Sequence, residues 1–225
     1  MNSEVETLET VEEMRLIKGY WNKTYSPSHP FNHSTLGIAF SGWAKPEQAL
    51  SDSAQIKNKL VGHKYISLGG GNANGSFTQQ ILNSIITHIK NGKFSDYKGI
   101  AFDIEEGEAN LISDFQQAFA AAKNKKFKVL VTTSHSAPYG IPDAQAMMKT
   151  FIKNENIDYL SPQLYTTGTE TENDFATSQG ISWEDYAHSK AAIIPSIVEA
   201  NMYHNAKKRF SRHGVTTRGF IQWAN

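Results

Sequence analysis

The sequence KGIAFDIEEGE (residues 98–108) begins like a buried β-strand and ends in a cluster of acids. Side chains of a strand alternate between its two faces. One face therefore carries Gly99, Ala101, Asp103 and Glu105, and the other carries Ile100, Phe102 and Ile104. The bulky apolar face is expected to meet covering helices, so the small and acidic face is expected to point into the interior of a closed barrel.

Seven other short runs resemble this one, and most of them are apolar on both faces, which is typical of parallel strands covered by helices. The eight predicted strands are residues 16–21, 35–40, 64–70, 99–105, 128–133, 158–165, 192–198 and 219–224.

Helical patterns lie between these strands. Apolar residues recur at helical spacing in 78–92, where Gly92 follows as a stop signal, and in 110–123. Weaker helical patterns cover residues 45–60, 143–154, 182–191 and 200–213. Eight strands alternating with helices predict an α/β protein built from right-handed βαβ units, a single (β/α)8 TIM barrel.

The eighth helix of such a barrel is expected to be absent, because the sequence ends two residues after Trp223. Ser3 and Glu6 form a capping box, and apolar residues follow at about helical spacing. Residues 1–15 are therefore expected to form an N-terminal helix that covers the gap, or else an acidic tail. Residues 16–225 are expected to form the barrel domain.

Composition narrows the classes of partner and compartment. Lys+Arg 22 balance Asp+Glu 22, which gives no electrostatic case for nucleic acid or an anionic membrane. The chain has no cysteine, and no apolar run approaches the roughly 18 residues needed for a membrane span. The segment after Met1 is acidic and unlike a signal peptide. We expect an intracellular protein, or a secreted one whose signal has been removed.

The acid pair marks a candidate site. Asp103 and Glu105 share a face, roughly 6–7 Å apart along the strand. They lie at its C-terminal end, where barrel enzymes build their active sites. Burial and a neighbouring carboxylate both raise the pKa of a carboxyl group. The upper acid is therefore expected to keep a proton and to act as a general acid; the alternative is an acid pair neutralised by Lys or Arg.

Other strands place polar and aromatic groups at the same end. Alternation in 158–165 puts Gln163 and Tyr165 on the interior face, and alternation in 219–224 does the same for Trp223. An indole at the mouth is suited to the face of a sugar ring, although filling of the core explains its spacing equally well. The glycine-rich turn after the third strand leaves room for a ligand beside the backbone of Gly70.

These stretches resemble the family 18 glycoside hydrolases, in particular the plant-type class III chitinases. KGIAFDIE resembles the DGxDxDxE strand of that family, and SLGGGNANGSF resembles its serine-and-glycine strand. GYWN, PQLY and GFIQWAN are similar to segments of the first, sixth and eighth strands. The motifs follow the family's order over about residues 17–225.

The resemblance implies cleavage of β-1,4 bonds beside N-acetylglucosamine by a retaining mechanism that uses the substrate's own acetamido oxygen and needs no cofactor or metal. It implies catalytic roles for Glu105 as general acid, Asp103 as the group that orients the acetamido, and Tyr165 as its hydrogen-bond donor. It implies substrate-binding roles for Gln163, Trp223, Tyr20 and Gly70. The expected partner is chitin or another oligosaccharide that contains N-acetylglucosamine.

Two positions depart from the family pattern. The first two acids of the motif are Lys98 and Ala101 here. Lys98 begins the strand, far from the mouth, whereas the family's acid at the place of Ala101 shares a proton with the acid above it. Loss of a coupled group can cost orders of magnitude in rate. A catalytically impaired chitinase-like lectin is therefore the alternative function.

A third class, a metal-dependent barrel using Asp103, Glu105, Glu106 and Glu108, is disfavoured because Glu106 should point outward. No histidine has a convincing ligand spacing either, since His135 stands alone after the fifth strand.

Overall fold

A computed structural model describes residues 15–27 and 33–225 of the chain. The predicted N-terminal helix, and with it the proposed cover for the missing eighth helix, lies outside the described residues. Within the described part, no helix is long and apolar enough to cross a membrane.

Parallel strands form the centre of the molecule, and each one pairs with its neighbours to close a ring. The strands are β1 Ile17–Lys23, β2 Leu36–Phe40, β3 His63–Gly69, β4 Gly99–Asp103, β5 Lys128–Ser134, β6 Tyr159–Gln163, β7 Ala192–Ile193, β8 Ser196–Ile197 and β9 Gly219–Gln222. Their order in the sheet is β5-β4-β3-β2-β1-β9-β8-β6-β7, and a further β5–β6 pairing closes it. The predicted single TIM-barrel fold is confirmed.

Five α-helices cover the outside in the described part of the chain. They are α1 Pro46–Ala54, α2 Gln79–Lys90, α3 Ile112–Asn124, α4 Ala144–Ile152 and α5 Tyr203–Arg212. Local signals set their starts: Pro46 occupies the first turn of α1, and the Thr78 hydroxyl accepts the Ile81 N–H at the start of α2. No helix follows β9 before Asn225.

Two predicted elements differ from the structure. The predicted helix 182–191 is only a short 3₁₀ turn at Glu184–His188. The predicted seventh strand 192–198 is split into β7 and β8, which occupy one position of the barrel. Pro195 lies between them, and proline has no N–H to give to a strand ladder. The Pro195 carbonyl still accepts the Ile221 N–H, so the ring remains closed.

Two apolar layers confirm the predicted faces of β4. Ile100, Phe102 and Ile104 lie in the outer core between barrel and helices, where the Phe102 ring meets Phe119 of α3 at 5.1 Å. Ala101 lies in a separate inner cluster that fills the barrel. The inner layer closes the barrel below the acids, so a ligand can approach Asp103 and Glu105 only from the C-terminal end of the strands.

Candidate active site

The acids of β4 lie together inside the mouth of the barrel. Asp103 is 3 % exposed, and its carboxyl group is hydrogen-bonded to that of Glu105. The Gln163 amide nitrogen lies 3.2 Å from Asp103 Oδ1, 3.5 Å from Glu105 Oε2 and 3.1 Å from Thr132 Oγ1. Since one amide has two N–H groups for three acceptors, Gln163 holds both carboxyl groups in a single cluster.

The surroundings of Asp103 favour its protonated form. Burial raises the pKa of Asp103 well above its usual range, and the neighbouring Glu105 charge and hydrogen bond raise it further, against a smaller lowering by Gln163. The raised pKa belongs to Asp103, the more deeply buried of the two carboxyl groups. That Glu105 keeps a proton for general-acid catalysis stays a prediction.

Ala101 lies below Asp103, next to a buried serine. Ala101 pairs in register with Ser67 of β3, and Ser67 is 1 % exposed. Ser67 Oγ is buried without a hydrogen-bond partner among the described residues. A buried hydroxyl without a partner is destabilising by about 1–3 kcal/mol. The Ser67 hydroxyl thus lies beside an alanine, whose side chain has no hydrogen-bonding group.

Tyr165 forms one wall of the same pocket. Its ring stacks on Trp223 at a centroid distance of 5.9 Å and an interplanar angle of 28°. Burial, then the charges of Asp103 and Glu105, raise the pKa of Tyr165, and a hydrogen bond with Ser196 opposes them. Its hydroxyl is therefore a proton-bearing donor at any physiological pH, held beside the acid pair.

Trp223 is half-buried at the rim, with neighbours that fix its ring. Phe40 and Trp21 meet it edge-on at 5.4 and 6.4 Å. Lys23 Nζ lies 4.2 Å from the ring centroid, and it also donates to the Trp223 carbonyl. Burial lowers the pKa of Lys23 to about 8. Sequence reasoning missed Lys23, although its alternation with Trp21 in β1 places both on the interior face.

These groups enclose a pocket of about 240 Å³ that opens at the C-terminal end of the strands. Its lining residues are Trp21, Tyr25, Phe40, Gly71, Asn72, Asp103, Glu105, Gln163, Tyr165, Thr166, Thr167 and Trp223. The structure thus brings together five of the seven predicted site residues.

Tyr20 and Gly70 are not brought to the pocket. The Tyr20 hydroxyl accepts the N–H of Val61, which precedes β3 at the opposite end of the barrel, and Trp21 faces the interior in its place. Gly70 is buried beneath the turn, while Gly71 and Asn72 form the pocket wall. Both predictions came from the family resemblance, which did not distinguish neighbouring positions.

The turn after β3 needs glycine for a steric reason. Gly69 has φ 101°, and a Cβ there would lie 2.2 Å from the Asp103 carbonyl oxygen. Only glycine adopts this conformation at such close range without strain. The chain therefore passes tightly against the end of β4 and leaves the acids uncovered.

A second wall depends on Glu170. Its carboxylate accepts the backbone N–H groups of Thr166, Thr167, Gly168 and Thr169. Partial burial would raise the pKa of Glu170, but the hydrogen bonds from Thr167 and the backbone lower it to about 2. Glu170 thus folds residues 166–169 into a tight turn against the site. Sequence reasoning missed this residue, and no local motif marks it.

Gly168 within that turn contacts Trp223 directly. Its φ is 84°, and a Cβ there would lie 2.3 Å from the indole Nε1. A larger groove of about 860 Å³ begins on the far side of Gly168, next to Ala224. The groove therefore lies next to the pocket along the chain, with Thr167 lining the pocket and Gly168 lining the groove.

Two exposed tyrosines flank the pocket. Tyr25, on the loop after β1, is 66 % exposed and lies near Asp103. Partial burial of its hydroxyl raises the pKa of Tyr25, and the Asp103 charge adds a smaller rise. Tyr139, on the loop after β5, is 53 % exposed and donates its hydroxyl to the Gly71 carbonyl at 3.2 Å. A hydrogen bond with Glu106 raises the pKa of Tyr139 to about 12.

The remaining candidate ligands point elsewhere. Glu106 meets Tyr139, and Glu108 accepts the Gln79 N–H at 3.4 Å. His135 Nε2 lies 3.0 Å from Asp174 Oδ2, which joins the loops after β5 and β6. Within the described residues, no three His, Asp or Glu side chains are close enough to share a metal ion.

No protein-family model and no curated protein matches this sequence. The comparison with family 18 therefore rests on the short motifs and on the placement of their residues in the barrel.

Proposed function

We propose that the protein is a chitinase-like glycoside hydrolase that cleaves β-1,4 bonds next to N-acetylglucosamine by a retaining, substrate-assisted mechanism. The observation that carries the proposal is the Asp103–Glu105 pair, whose carboxyl groups lie hydrogen-bonded beside Tyr165 in a pocket at the barrel mouth. A pocket of about 240 Å³ is small beside the usual range of about 300–1,000 Å³ for ligand sites. It suits one sugar unit of a longer chain.

The reaction starts with movement of the pair's proton from Asp103 to Glu105 along their hydrogen bond. Glu105 then donates this proton to the glycosidic oxygen, which keeps the electron pair of the breaking C1–O bond. The acetamido oxygen of the same sugar bonds to C1 and forms a cationic oxazolinium ring. Asp103, now a carboxylate, accepts the acetamido N–H and stabilises the cation, while the Tyr165 hydroxyl holds the acetamido oxygen.

A water molecule completes the cycle. It attacks C1 from the side of the departed sugar and gives a proton to Glu105, which acts as base in this step. The oxazolinium ring opens, the acetamido group is restored, and two displacements together retain the configuration at C1. The proton balance closes with Glu105 protonated again, ready for the next bond.

The alternative function is a chitinase-like lectin that binds the same glycans, and Ala101 is the observation that favours it. Asp103 must release its proton upward to Glu105, since the residue below it is an alanine in the apolar inner cluster. A protein in which that transfer is too slow would bind the sugar without cleaving it.

The test is calorimetric titration with chitotetraose together with chromatography of the same mixtures for products. Wild type is expected to bind and to release shorter oligosaccharides. Glu105→Gln is expected to bind with similar affinity and to lose about 10²–10⁴-fold in rate, the usual contribution of a general acid. Glu108→Gln is the matched control, because it removes a carboxylate three residues away whose side chain contacts Gln79.

Three results contradict parts of the proposal in different ways. Binding without cleavage by wild type and both variants supports the lectin. Equal cleavage by wild type and Glu105→Gln removes the assigned general acid. Absence of binding by all three proteins rules out glycans of N-acetylglucosamine as the ligand.

A further inference from the structure

The N-terminal end of the barrel carries a band of lysines on one side. Lys64, Lys98 and Lys128 stand at or next to the starts of β3, β4 and β5. The Lys98 N–H donates to the Lys64 carbonyl at 2.8 Å, and the Lys128 N–H donates to the Lys98 carbonyl at 2.9 Å. These backbone bonds place the three strand starts side by side, about 4.8 Å apart from strand to strand. Lys64 and Lys98 share the outer face of the barrel, whereas Lys128 pairs in register with Gly99 and lies on the inner face.

The connections that precede these strands extend the band. Exposed or half-exposed lysines also occupy the 3₁₀ turn before β3, the end of α2 with the loop that follows it, and the turn between α3 and β5. They are Lys57, Lys59, Lys90, Lys93, Lys123, Lys125 and Lys126. A groove of about 360 Å³ lies within the band, and its charged lining residues are Lys98, Lys125, Lys126 and Asp96.

Few carboxylates neutralise this charge. Asp96 pairs with Lys57 at 2.7 Å, and Asp158 lies 2.9 Å from Lys123 and 3.9 Å from Lys128. Among residues 15–27 and 33–225, the other lysines of the band have no carboxylate within 4.0 Å. Like charges side by side in a sheet are destabilising, so the free protein bears a cost that an anion would relieve.

Helix dipoles explain only part of the pattern. Lysines at the ends of α2 and α3 interact favourably with the last carbonyls of those helices. Lys64 and Lys98 open strands, where no such dipole exists. Lys126 has φ 66°, in the left-handed region that favours glycine or asparagine. Lys126 follows the C-terminal end of α3, where its N–H donates to the Lys123 carbonyl and the Phe127 N–H donates to the Ala122 carbonyl, so the helix end accounts for this conformation.

We propose that this lysine band binds a linear phosphate-bearing polymer without bases, of which inorganic polyphosphate is the simplest form. A linear chain fits because the unpaired charge runs from Lys64 and Lys98 at two neighbouring strand starts to Lys125 and Lys126 at the groove. On the other side of the same end, Lys190 is already paired with Glu155 at 2.8 Å. Ammonium groups bind phosphate as point charges and need no shaped fork.

Two other classes of polyanion fit less well. A membrane surface favours exposed apolar residues, and the large hydrophobic side chains most exposed in the described chain, Tyr25 and Tyr139, lie at the opposite end. Proteins that bind single-stranded nucleic acid stack bases on aromatic rings, and the tyrosine at this groove, Tyr97, is buried.

The experiment measures binding of fluorescently labelled polyphosphate by anisotropy at several salt concentrations. The test variant is Lys98→Gln/Lys125→Gln/Lys126→Gln. The control variant is Lys153→Gln/Lys207→Gln/Lys208→Gln, which removes the same charge from exposed positions outside the band. The melting temperature of each variant verifies that it folds.

The test variant is expected to lose at least about tenfold in affinity at low salt, and its salt dependence is expected to fall by about two in log–log slope. The control variant is expected to stay within about twofold of wild type. Equal loss in both variants means that only net charge matters and overturns the proposal. Failure of wild type to bind polyphosphate, or tighter binding to anionic lipid vesicles or to single-stranded DNA, overturns it too.

Discussion

At the mouth of the barrel β4 ends in Asp103 and is followed by Glu105, whereas at the opposite end the same segment begins at Lys98. The mouth gathers buried acids, aromatic rings and a small pocket. The other end gathers exposed lysines that mostly lack partners. A chain whose total charge is zero therefore has two ends of opposite character.

The difference shows why the charge balance of the whole sequence is a poor guide to partners. The balance of 22 basic and 22 acidic residues gave no electrostatic case for nucleic acid or an anionic membrane. Parallel strands place every start at one end of the barrel and every finish at the other. Lysines at strand starts and acids at strand ends are therefore placed at opposite ends of the barrel.

The largest expected effect comes from restoring an acid beneath the mouth. Ala101→Asp would place a carboxyl group below Asp103 and beside the unpartnered Ser67 hydroxyl. Asp103 could then share its proton downward while Glu105 keeps its own. If the protein is a hydrolase, the rate of chitotetraose cleavage is expected to rise about 10- to 100-fold, as loss of coupled groups costs that much or more.

Ala101→Asn is the control for this prediction. It adds a side chain of the same shape that can bond to Ser67 but cannot share a proton as a carboxylate does. If the rate rises in both variants, the gain comes from filling the space below Asp103 or from a hydrogen bond to Ser67, and not from a shared proton. No rise for either would show that Ala101 does not limit the reaction.

The next effect concerns stability. Asp103 has a folded-state pKa raised above its unfolded value of about 3.9. Its contribution to the free energy of unfolding is therefore fully present below about pH 4 and is lost as pH rises through the folded pKa. Asp103→Asn keeps an acceptor for Gln163 and never ionises. The melting temperature is expected to rise by about 2–4 °C at pH 8, which corresponds to about 1 kcal/mol.

Calorimetric scans at pH 4 and pH 8 measure this difference. The gain should shrink at pH 4, where the wild-type carboxyl is protonated in the folded state and about half protonated in the unfolded state. An equal gain at both pH values would contradict the assignment of the proton to Asp103. Such a variant is expected to lose cleavage, since the amide cannot stabilise the cation.

A smaller effect is expected from the turn beside the pocket. Glu170→Gln keeps one acceptor oxygen but removes the charge that holds four backbone N–H groups. The turn carrying Thr166 and Gly168 should loosen, and affinity for chitotetraose should fall about fivefold, as weakened charge-assisted hydrogen bonds imply. Glu172→Gln, on an exposed neighbour, is the matched control.

The pH dependence of binding separates positioning from general destabilisation. Because the pKa of Glu170 is lowered to about 2, Glu170 stays ionised from pH 5 to pH 8. The contribution of this turn to the affinity of wild type should therefore be constant over that range. Its contribution is present above about pH 4 and is lost as pH falls toward 2. A loss of melting temperature in Glu170→Gln without loss of affinity would contradict a positioning role.

Much of the fold followed from periodicity. The strands and the two longest helices, α2 and α3, gave clear patterns, because apolar positions along them are set by the layers they separate. The segment 182–191 misled, because Trp183 and Tyr186 are fixed by their side-chain bonds to Phe175 and Ser136 rather than by a helix. Such tertiary contacts have no local signal.

Some of the site residues could be predicted from strand periodicity, and others could not. Alternation placed Asp103, Glu105 and Gln163 correctly, since each strand has one small or polar face. It could not decide between Tyr20 and Trp21, because both neighbours are bulky and both faces of β1 are buried. Glu170 was beyond sequence reasoning, because its role arises from how one loop folds back on itself.

The smallest expected effect tests whether the two ends are independent. Lys98 and Asp103 lie five residues apart on β4, about 16 Å at the rise of a strand, and charges beyond the Debye length of about 8–10 Å are largely screened at physiological salt. Lys98→Gln should therefore change affinity for chitotetraose by less than twofold, although it should weaken polyphosphate binding measurably. At about 0.01 M salt the Debye length reaches about 30 Å, and a small effect on the mouth should then appear. A change of fivefold or more at 0.15 M salt would mean that the ends are coupled through β4 itself rather than through the field of its charges.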